Sequence, residues 1–262
     1  MNADFGLRGK TVLITGAAGS IGSALAHAFA EQGAALMLID RTETALHELV
    51  DQLKPITETH SAVCDLSDSL DVAAVAAQVR DQWGRLDVLL NNAGAEYPTP
   101  IADGSAEATA AWASLLDNNV LGMVRLTQAM LPFMSRGACV INQSSIWGKT
   151  GVAGFSAYAA SKHAIVGLTR SLALELGPKG ILVNAVCPGW IRTAAAMRSL
   201  ASMAQEQGRP IEEVEHDILA RQAIPSMLAP RDIAGVFLFL ASAAASSLTG
   251  QCLCASHGEV ML

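Results

Sequence analysis

Short apolar runs recur along the chain and are separated by longer stretches of helix-like composition. The run Leu36-Met37-Leu38-Ile39 is apolar at every position, which is typical of a strand that is covered on both faces. Seven such runs alternate with six helical segments, and this order predicts a parallel sheet between two helical layers. The fold class is therefore α/β, a doubly wound Rossmann fold with ligands at the carboxyl ends of its strands. The predicted strands are 11–15, 35–40, 62–65, 87–91, 139–144, 181–187 and 251–255.

Size and composition predict one domain with a large core. The chain has 262 residues, of which 51% are hydrophobic and 16% charged. No Pro-, Gly- or Ser-rich linker divides it, so we expect a single unit over 1–262. The formal net charge of −7 argues against nucleic acid as a partner, because such partners require clustered Lys and Arg.

Cysteine usage and the N-terminal stretch favour a cytoplasmic location. The five cysteines are an odd number without CxxC spacing, which indicates reduced, buried thiols. Residues 1–10 include Asp4 and lack the apolar core of a secretory signal. The most apolar stretch, 233–245, is shorter than the ~20 residues that span a bilayer and predicts a buried helix. No histidine/cysteine cluster or carboxylate cage indicates a metal.

A glycine-rich turn, at 15–22, joins the first predicted strand to the first predicted helix. Glycine permits a tight turn, and a helix N-terminus offers free N–H groups and a partial positive charge to a pyrophosphate. Alone the pattern is weak, but its place between strand and helix strengthens it. The dinucleotide contacts predicted here are Gly16, Gly19, Ser20, Ile21 and Gly22.

An acidic residue, Asp40, ends the second predicted strand. A carboxylate there accepts hydrogen bonds from ribose hydroxyls and repels a 2′-phosphate, which favours NAD over NADP. Two alternatives stay open, because Asp40 also suits a helix cap and the adjacent Arg41 suits a phosphate. After the third strand, Asp65 is placed to accept from an adenine amino group, with Leu66 beside it.

Tyr158 and Lys162 are one helical turn apart, and Ser145 precedes Tyr158 by thirteen residues. The i,i+4 spacing places phenol and ammonium on one helix face. We expect the positive charge to lower the pKa of the phenol and make it a usable base. Taken alone, the pattern also fits a packed tyrosine beside a solvated lysine. Its companions along the chain favour acid/base work.

Together these residues resemble the short-chain dehydrogenase/reductase family over nearly the whole chain. The run 91–94, Asn-Asn-Ala-Gly, matches the motif that stabilises the sheet beside the cofactor, and 188–193 matches the turn that holds the nicotinamide carboxamide. The catalytic residues that the resemblance implies are Asn119, Ser145, Tyr158 and Lys162. The further cofactor contacts it implies are Asn92, Ala93, Gly94, Tyr158, Lys162, Pro188, Gly189, Ile191 and Thr193.

The resemblance also implies a division of labour. Tyr158 as phenolate takes the proton of an alcohol while hydride passes to the nicotinamide, and Ser145 orients the substrate oxygen. Lys162 holds the nicotinamide ribose and stabilises the phenolate. Asn119 positions a water that links Lys162 to solvent.

The chain departs from the family pattern at two places. Ser20 stands where the loop usually has glycine, although Gly19 precedes it, and this departure bears on the detailed phosphate contacts. Residues 255–258 read Ala-Ser-His-Gly, where the family commonly has Val-Asp-Gly-Gly. One interpretation is that His257 contacts the substrate region or a neighbouring subunit. The other is that it is an ordinary solvated or hydrogen-bonded histidine.

Two kinds of helical segment have consequences beyond the sheet. Alanine-rich helices at about 105–135 and 156–177 present small or apolar surfaces, which often pair with copies of the same chain. The family resemblance favours a homotetramer. Residues 194–225 mix Met, Gln, Glu, Gly and Pro and predict a helical lid over the substrate site. The alternative for that segment is a peripheral insertion.

Residues beside the matched motifs predict the substrate pocket. Two tryptophans form apolar walls, while Glu96 and Gln143 bind hydroxyl groups, which suits a sugar, polyol or related small alcohol. The run 187–193 is similar to that of hydroxybutyrate dehydrogenases, and Lys149 or Arg192 would anchor a carboxylate, but Glu96 would repel one. The predicted pocket residues are Glu96, Gln143, Ser145, Trp147, Phe155, Trp190 and Met197.

Three functional hypotheses follow. The leading one is an oxidoreductase that transfers hydride between a secondary alcohol and NAD+, giving the ketone and NADH. Its nearest rival is an NADP(H)-dependent carbonyl reductase. The third is a nucleotide-binding regulator without turnover, against which the intact tetrad argues.

Overall fold

Seven parallel strands form the centre of the protein, which we describe over residues 4–261 from a computed structural model. Their order across the sheet, β3-β2-β1-β4-β5-β6-β7, reverses direction between β1 and β4, and this confirms the predicted doubly wound fold. Residues 1–3 of the stretch considered for a signal lie outside the described range. The strands are β1 (Thr11–Thr15), β2 (Ala35–Asp40), β3 (Thr59–Val63), β4 (Val88–Asn91), β5 (Cys139–Gln143), β6 (Leu182–Pro188) and β7 (Cys252–Ala255).

Helices cover both faces of the sheet. A π-helical turn, Asp117–Leu121, joins two of them, and no helix within residues 4–261 is both long and apolar enough to cross a membrane. The helices are α1 (Ser20–Glu31), α2 (Glu43–Leu53), α3 (Ser69–Gln82), α4 (Ala106–Leu116), α5 (Gly122–Met130), α6 (Ser156–Leu176), α7 (Ala194–Gln207), α8 (Ile211–Leu219) and α9 (Ala234–Ala241).

The core consists of two apolar layers, one on each face of the sheet. Along β1, Val12 and Ile14 belong to the layer that contains Phe29 of α1 and Phe237 of α9. Leu13, between them, belongs to the other layer, which α3, α5 and α6 complete. Successive side chains of a strand point to opposite faces, so a strand between two layers is mostly apolar on both faces.

Four strands differ from their predicted bounds by one residue at one or both ends, and three predicted segments differ by more. β3 covers 59–63 instead of 62–65, because β2 pairs with the polar residues of an edge strand, from Thr59 onward. The helix predicted at 105–135 is interrupted by the π-helical turn. The apolar stretch 233–245 is helical only over Ala234–Ala241, with short 3₁₀ turns on both sides.

Candidate active site

A cleft of about 540 Å³ runs along the carboxyl ends of the strands. The start of α1, the loops after β2 to β6 and the start of α7 form its walls. Of the predicted site residues, all line this cleft except Asn119, Phe155 and Met197. The structure thus brings residues from almost every loop at one edge of the sheet together, where the doubly wound fold places ligands.

The glycine-rich turn is shaped by close backbone contacts. Gly16 has φ +61°, and a Cβ there would lie 2.9 Å from the Cα of Ala93. A Cβ on Gly22 would lie 2.0 Å from the carbonyl oxygen of Gly16. Gly19 is the N-cap of α1, and no side chain of the described residues caps this helix through a hydrogen bond. The N-terminus of α1 therefore faces the cleft uncapped, with Ser20 as the first helical residue, and is available to an anion.

Asn92 ties the loop after β4 to the glycine-rich turn. Its Nδ2 donates to the carbonyl oxygens of Thr15 (2.8 Å) and Gly16 (3.1 Å). In return, Thr15 Oγ1 accepts from the backbone N–H groups of Asn92 and Ala93. These bonds fix the turn against the centre of the sheet.

Asp40 is held by backbone donors at the end of β2. Its Oδ2 accepts from the N–H of Ala18 at 3.0 Å and its Oδ1 from the N–H of Thr42 at 2.9 Å. Thr42 is the N-cap of α2, so Asp40 bonds to the cap residue and not to the first turn of the helix. The carboxylate is fixed with its charge at the cleft wall, where Arg41 also lies.

Asp65, the residue predicted to contact the adenine, also lies at the wall of the cleft. Its Oδ1 accepts from the backbone N–H and hydroxyl of Ser67. These bonds, aided by the charge of Arg41, lower the pKa of Asp65. Asp65 is therefore a carboxylate at neutral pH, with Leu66 beside it on the same wall.

Tyr158 and Lys162 share one face of α6. Lys162 Nζ lies 5.4 Å from the centre of the Tyr158 ring and donates to the carbonyl oxygen of Gln143 at 3.0 Å. Lys162 is only 2% exposed, and a Cβ on Gly94 would come within 3.3 Å of its Nζ. The glycine of the Asn-Asn-Ala-Gly motif thus leaves the space that the lysine head occupies.

The structure reverses one electrostatic expectation. Burial, with the negative charge of Glu96, raises the pKa of Tyr158, and a hydrogen bond with Ser145 lowers it only in part. Burial lowers the pKa of Lys162 to about 8. The predicted lowering of the phenol pKa by Lys162 is wrong for the chain alone, because the protein around the half-buried phenol disfavours its charged form.

The adjacent serines have separate tasks. Ser144 Oγ donates to the carbonyl oxygen of Lys162 at 2.8 Å and so ties β5 to α6. Ser145 shares a hydrogen bond with Tyr158 and accepts from the N–H of Trp147 at 3.2 Å. Of the two, Ser145 is therefore in place to contact a substrate oxygen.

Asn119 lies behind the cleft, at the centre of the π-helical turn. Its Nδ2 donates to the carbonyl oxygen of Ala95 and to Ser161 Oγ, and its Oδ1 accepts from the N–H of Ala95 at 2.7 Å. The side chain is fully buried. It joins the loop after β4 to α6, the helix that carries Tyr158 and Lys162.

The substrate end of the cleft has an aromatic wall. The Trp147 ring lies 5.6 Å from that of Trp190 and 5.8 Å from that of Tyr158, both in edge-on geometry. Phe155 lies behind it, with ring centroids 5.5 Å apart, and is 1% exposed. Met197 packs against the same apolar cluster. Phe155 and Met197 therefore support the wall instead of lining the pocket as predicted.

Two polar side chains complete the substrate end. Gln143 Oε1 is buried and has no partner among the described residues, so it is an acceptor that awaits a donor. The Glu96 carboxyl accepts from Ser199 Oγ at 2.5 Å, and burial raises its pKa. Sequence reasoning missed Ser199 and the neighbouring Arg198, because a contact across 103 positions between a loop and a helix leaves no local pattern.

The turn after β6 continues into α7. Gly189 donates to the carbonyl oxygen of Ala255, and a Cβ on it would lie 2.8 Å from the Cα of Ser256. Thr193 is the N-cap of α7, where its Oγ1 accepts from Ala196 N at 3.1 Å. His257 has φ +51° and bonds to Ser226 away from the main cleft. It thus adopts the conformation that glycine favours.

The geometry defines a class of protein. An uncapped helix N-terminus and a fixed carboxylate at the second strand suit a dinucleotide, and a Ser–Tyr–Lys group at the same edge suits proton transfer. Among residues 4–261, no group of three or more His, Cys, Asp or Glu is placed to hold a metal. The class is that of the nicotinamide-dependent oxidoreductases.

Sequence comparisons specify the family. A family model described as enoyl-(acyl carrier protein) reductase matches residues 16–259. A 3-oxoacyl-[acyl-carrier-protein] reductase of Thermotoga maritima is 33% identical over 97% of this chain and 99% of its own. A D-beta-hydroxybutyrate dehydrogenase of Cupriavidus necator is 30% identical over 93% and 95%. The chain belongs to the short-chain dehydrogenase/reductase family, whose members act on hydroxyl or carbonyl groups with a nicotinamide cofactor.

Solved structures show the same architecture. An NAD+-bound xylitol dehydrogenase has a TM-score of 0.90 and 29% identity, and the match covers 96% of this chain and 99% of that one. The L-sorbose reductase of Gluconobacter frateurii, with NADPH and L-sorbose, has a TM-score of 0.89 and 26% identity over 99% and 100%. These structures support binding of a nicotinamide cofactor by this fold, and they contain different ones, NAD+ in the first and NADPH in the second.

Proposed function

We propose that the protein is an NAD-dependent dehydrogenase of a small neutral secondary alcohol, a sugar, polyol or related metabolite. The observation that carries this proposal is the convergence of Ser145, Tyr158 and Lys162 beside the uncapped N-terminus of α1. Both the proton acceptor and the anion-binding helix end lie in one cleft. The reaction gives the ketone and NADH.

The proposed cofactor site uses the predicted residues. The N–H groups at the start of α1 would hold the pyrophosphate, and Asp40 the adenosine ribose. Lys162 would hold the nicotinamide ribose, and the turn from Pro188 to Thr193 the carboxamide. When bound, the nicotinamide supplies the acceptor or donor of hydride.

The chain's own residues move the proton. Ser145 donates to the substrate oxygen and fixes it beside Tyr158. Tyr158 takes the alcohol proton in oxidation and returns one to the carbonyl in reduction. Lys162, held by the Gln143 carbonyl, places a positive charge beside the phenolate as it forms. Asn119 fixes the loop and helix that carry these groups, and its predicted link to solvent is part of this proposal.

The cofactor preference depends on Asp40. Both of its oxygens already accept backbone N–H bonds, so the carboxylate has a fixed place and would repel a 2′-phosphate. Arg41 at the same wall is the feature that favours the second candidate, an NADP(H)-dependent carbonyl reductase. A regulator without turnover would not need the Ser–Tyr–Lys arrangement in the cleft.

The substrate class follows from the mixture at the pocket. Trp147 and Trp190 give it apolar walls, while Gln143 and Glu96 offer acceptors to hydroxyl groups. The neighbours that act on xylitol and L-sorbose support a polyol or sugar. A hydroxy acid is the alternative, which the C. necator relative supports and the buried Glu96 carboxyl opposes.

We also propose that residues 194–225 act as a lid over the substrate site. We propose further that the protein assembles as a homotetramer and that it is located in the cytoplasm. The start of α7 lines the cleft, which supports the lid. Leu116, Leu121 and Leu174 are exposed apolar side chains on α4, the π-helical turn and α6, which supports pairing of these faces. The five free thiols, four of them buried, suit a reducing compartment.

A substrate screen tests the function. The protein is incubated with NAD+ or NADP+ and with sugars, polyols, hydroxy acids and cyclic alcohols, and absorbance of the reduced cofactor is followed. We expect the highest kcat/KM with NAD+ and a neutral polyol or sugar. A preference for NADP+ would favour the rival carbonyl reductase, and a preference for hydroxy acids would overturn the substrate class. Size-exclusion chromatography with light scattering tests the tetramer.

A further inference from the structure

Ser199 is a buried hydroxyl in the middle of α7 that bonds away from its own helix. It is 4% exposed, and its Oγ donates to Glu96 Oε1 at 2.5 Å. A serine inside a helix commonly points to solvent or bonds to the carbonyl one turn earlier. Ser199 instead ties α7 to the loop that follows β4.

Glu96, at the other end of this bond, lines the same cleft as Tyr158, Lys162 and Arg198. Tyr158 and Lys162 of α6 and Arg198 of α7 are its charged or titratable neighbours. Its negative charge raises the pKa of Tyr158. The Ser199 bond and the two cations partly offset the burial that raises the pKa of Glu96 itself. A change in the charge or position of the Glu96 carboxyl therefore changes the pKa of Tyr158, the proposed proton acceptor.

A second titratable group also faces Lys162. Cys187 of β6 is close enough to affect Lys162, but burial raises the pKa of its thiol to about 12. The thiol is therefore neutral over the range in which an enzyme of this class is assayed. Glu96 is the carboxyl group that affects both Tyr158 and Lys162.

We propose that Ser199 is a positioning residue for the proton transfer: it holds the Glu96 carboxyl in the cleft that Tyr158 also lines, and so couples the docking of α7 to proton acceptance. This inference rests on the proposed function, because it assigns the proton to Tyr158. Without the hydroxyl, Glu96 either takes up a proton more readily or turns away. In both cases Tyr158 loses a negative neighbour and releases its proton at lower pH.

The pH profile of kcat/KM for alcohol oxidation tests this assignment. We expect Glu96→Gln to move the acid limb to lower pH by about one unit, the size of shift that a nearby charge produces. Ser199→Ala should move it in the same direction, and Ser199→Thr, which keeps a hydroxyl, should restore it toward the original. The double variant Glu96→Gln/Ser199→Ala should coincide with Glu96→Gln, because Ser199 acts through Glu96.

Ser202→Ala is the matched control, since Ser202 is a half-buried serine of the same helix. Its acid limb should not move. If Ser199→Ala raises KM but leaves the acid limb in place, Ser199 only packs α7 and the inference is overturned. A further shift in the double variant beyond that of Glu96→Gln overturns it as well.

Hydrogen exchange over 194–207 gives a readout that needs no substrate. Exchange should be faster in Ser199→Ala than in the unaltered protein, and unchanged in Ser202→Ala. Equal exchange in all three overturns the inference, whether or not an alcohol is found. Failure of the proposed function would show differently, as absence of turnover by the unaltered protein with every alcohol and ketone.

Discussion

The two ends of the cleft are built in different ways. At the cofactor end, backbone groups dominate: the glycine-rich turn packs on Ala93, and Asp40 bonds to the N–H groups of Ala18 and Thr42. At the substrate end, side chains from distant elements meet, as Glu96 and Ser199 do. A backbone site needs particular residues at fixed short spacings, whereas a side-chain site needs only that distant positions be compatible.

Tyr158 and Lys162, the proposed catalytic pair, lie where these two ends meet, and Tyr158→Phe tests their role. Removal of one hydroxyl eliminates the proton acceptor, so turnover should fall about 10²- to 10⁴-fold. NADH binding, measured by fluorescence titration, should stay within a few-fold. The control is Tyr97→Phe at the chain's other tyrosine, whose hydroxyl donates to the Ala111 carbonyl. Undiminished turnover in Tyr158→Phe would remove the assignment of Tyr158.

Gly22→Ala tests the backbone construction of the cofactor end. The added Cβ would lie 2.0 Å from the Gly16 carbonyl oxygen and 2.8 Å from the Ala17 Cα. Because these are backbone atoms, α1 must shift, which should cost about 1–3 kcal/mol in the free energy of unfolding and weaken NADH binding. Thermal denaturation and NADH titration measure both effects. Gly104→Ala, with no atom within 4 Å of the new Cβ, should leave both unchanged.

Asp40→Ser tests whether Asp40 makes the cofactor end of the cleft prefer NAD to NADP. Loss of the carboxylate removes the repulsion of a 2′-phosphate and a pair of ribose acceptors. The ratio of kcat/KM for NAD+ to that for NADP+ should fall by about tenfold or more, since like charges in contact cost several kcal/mol. Asp65→Ser, at the adjacent wall, should change the ratio less. An unchanged ratio in Asp40→Ser would transfer the selection to another residue.

The sequence predicted the cofactor end more fully than the substrate end, for a physical reason. A turn that requires glycine, a strand that requires apolar residues and a pair one helical turn apart all leave local patterns. The π-helical turn around Asn119 and the Ser199–Glu96 bond leave none, because they depend on how separate elements pack. The direction of the Tyr158 pKa shift could not be predicted from the Tyr–Lys spacing either, because desolvation depends on the whole environment of the phenol.

Phe155→Leu tests the difference between lining and supporting residues at the substrate end. Of the variants considered, we expect it to have the smallest effect on activity. Phe155 supports the Trp147 ring from behind and lies outside the cleft. Leucine is smaller than phenylalanine, so the change should cost about 1–2 kcal/mol in the free energy of unfolding. It should leave the relative kcat/KM for a set of alcohols within about threefold, because the lining atoms are unchanged. Trp190→Leu removes part of the lining wall itself and should change that order. If both variants changed substrate selectivity equally, the division between lining and supporting residues would be wrong.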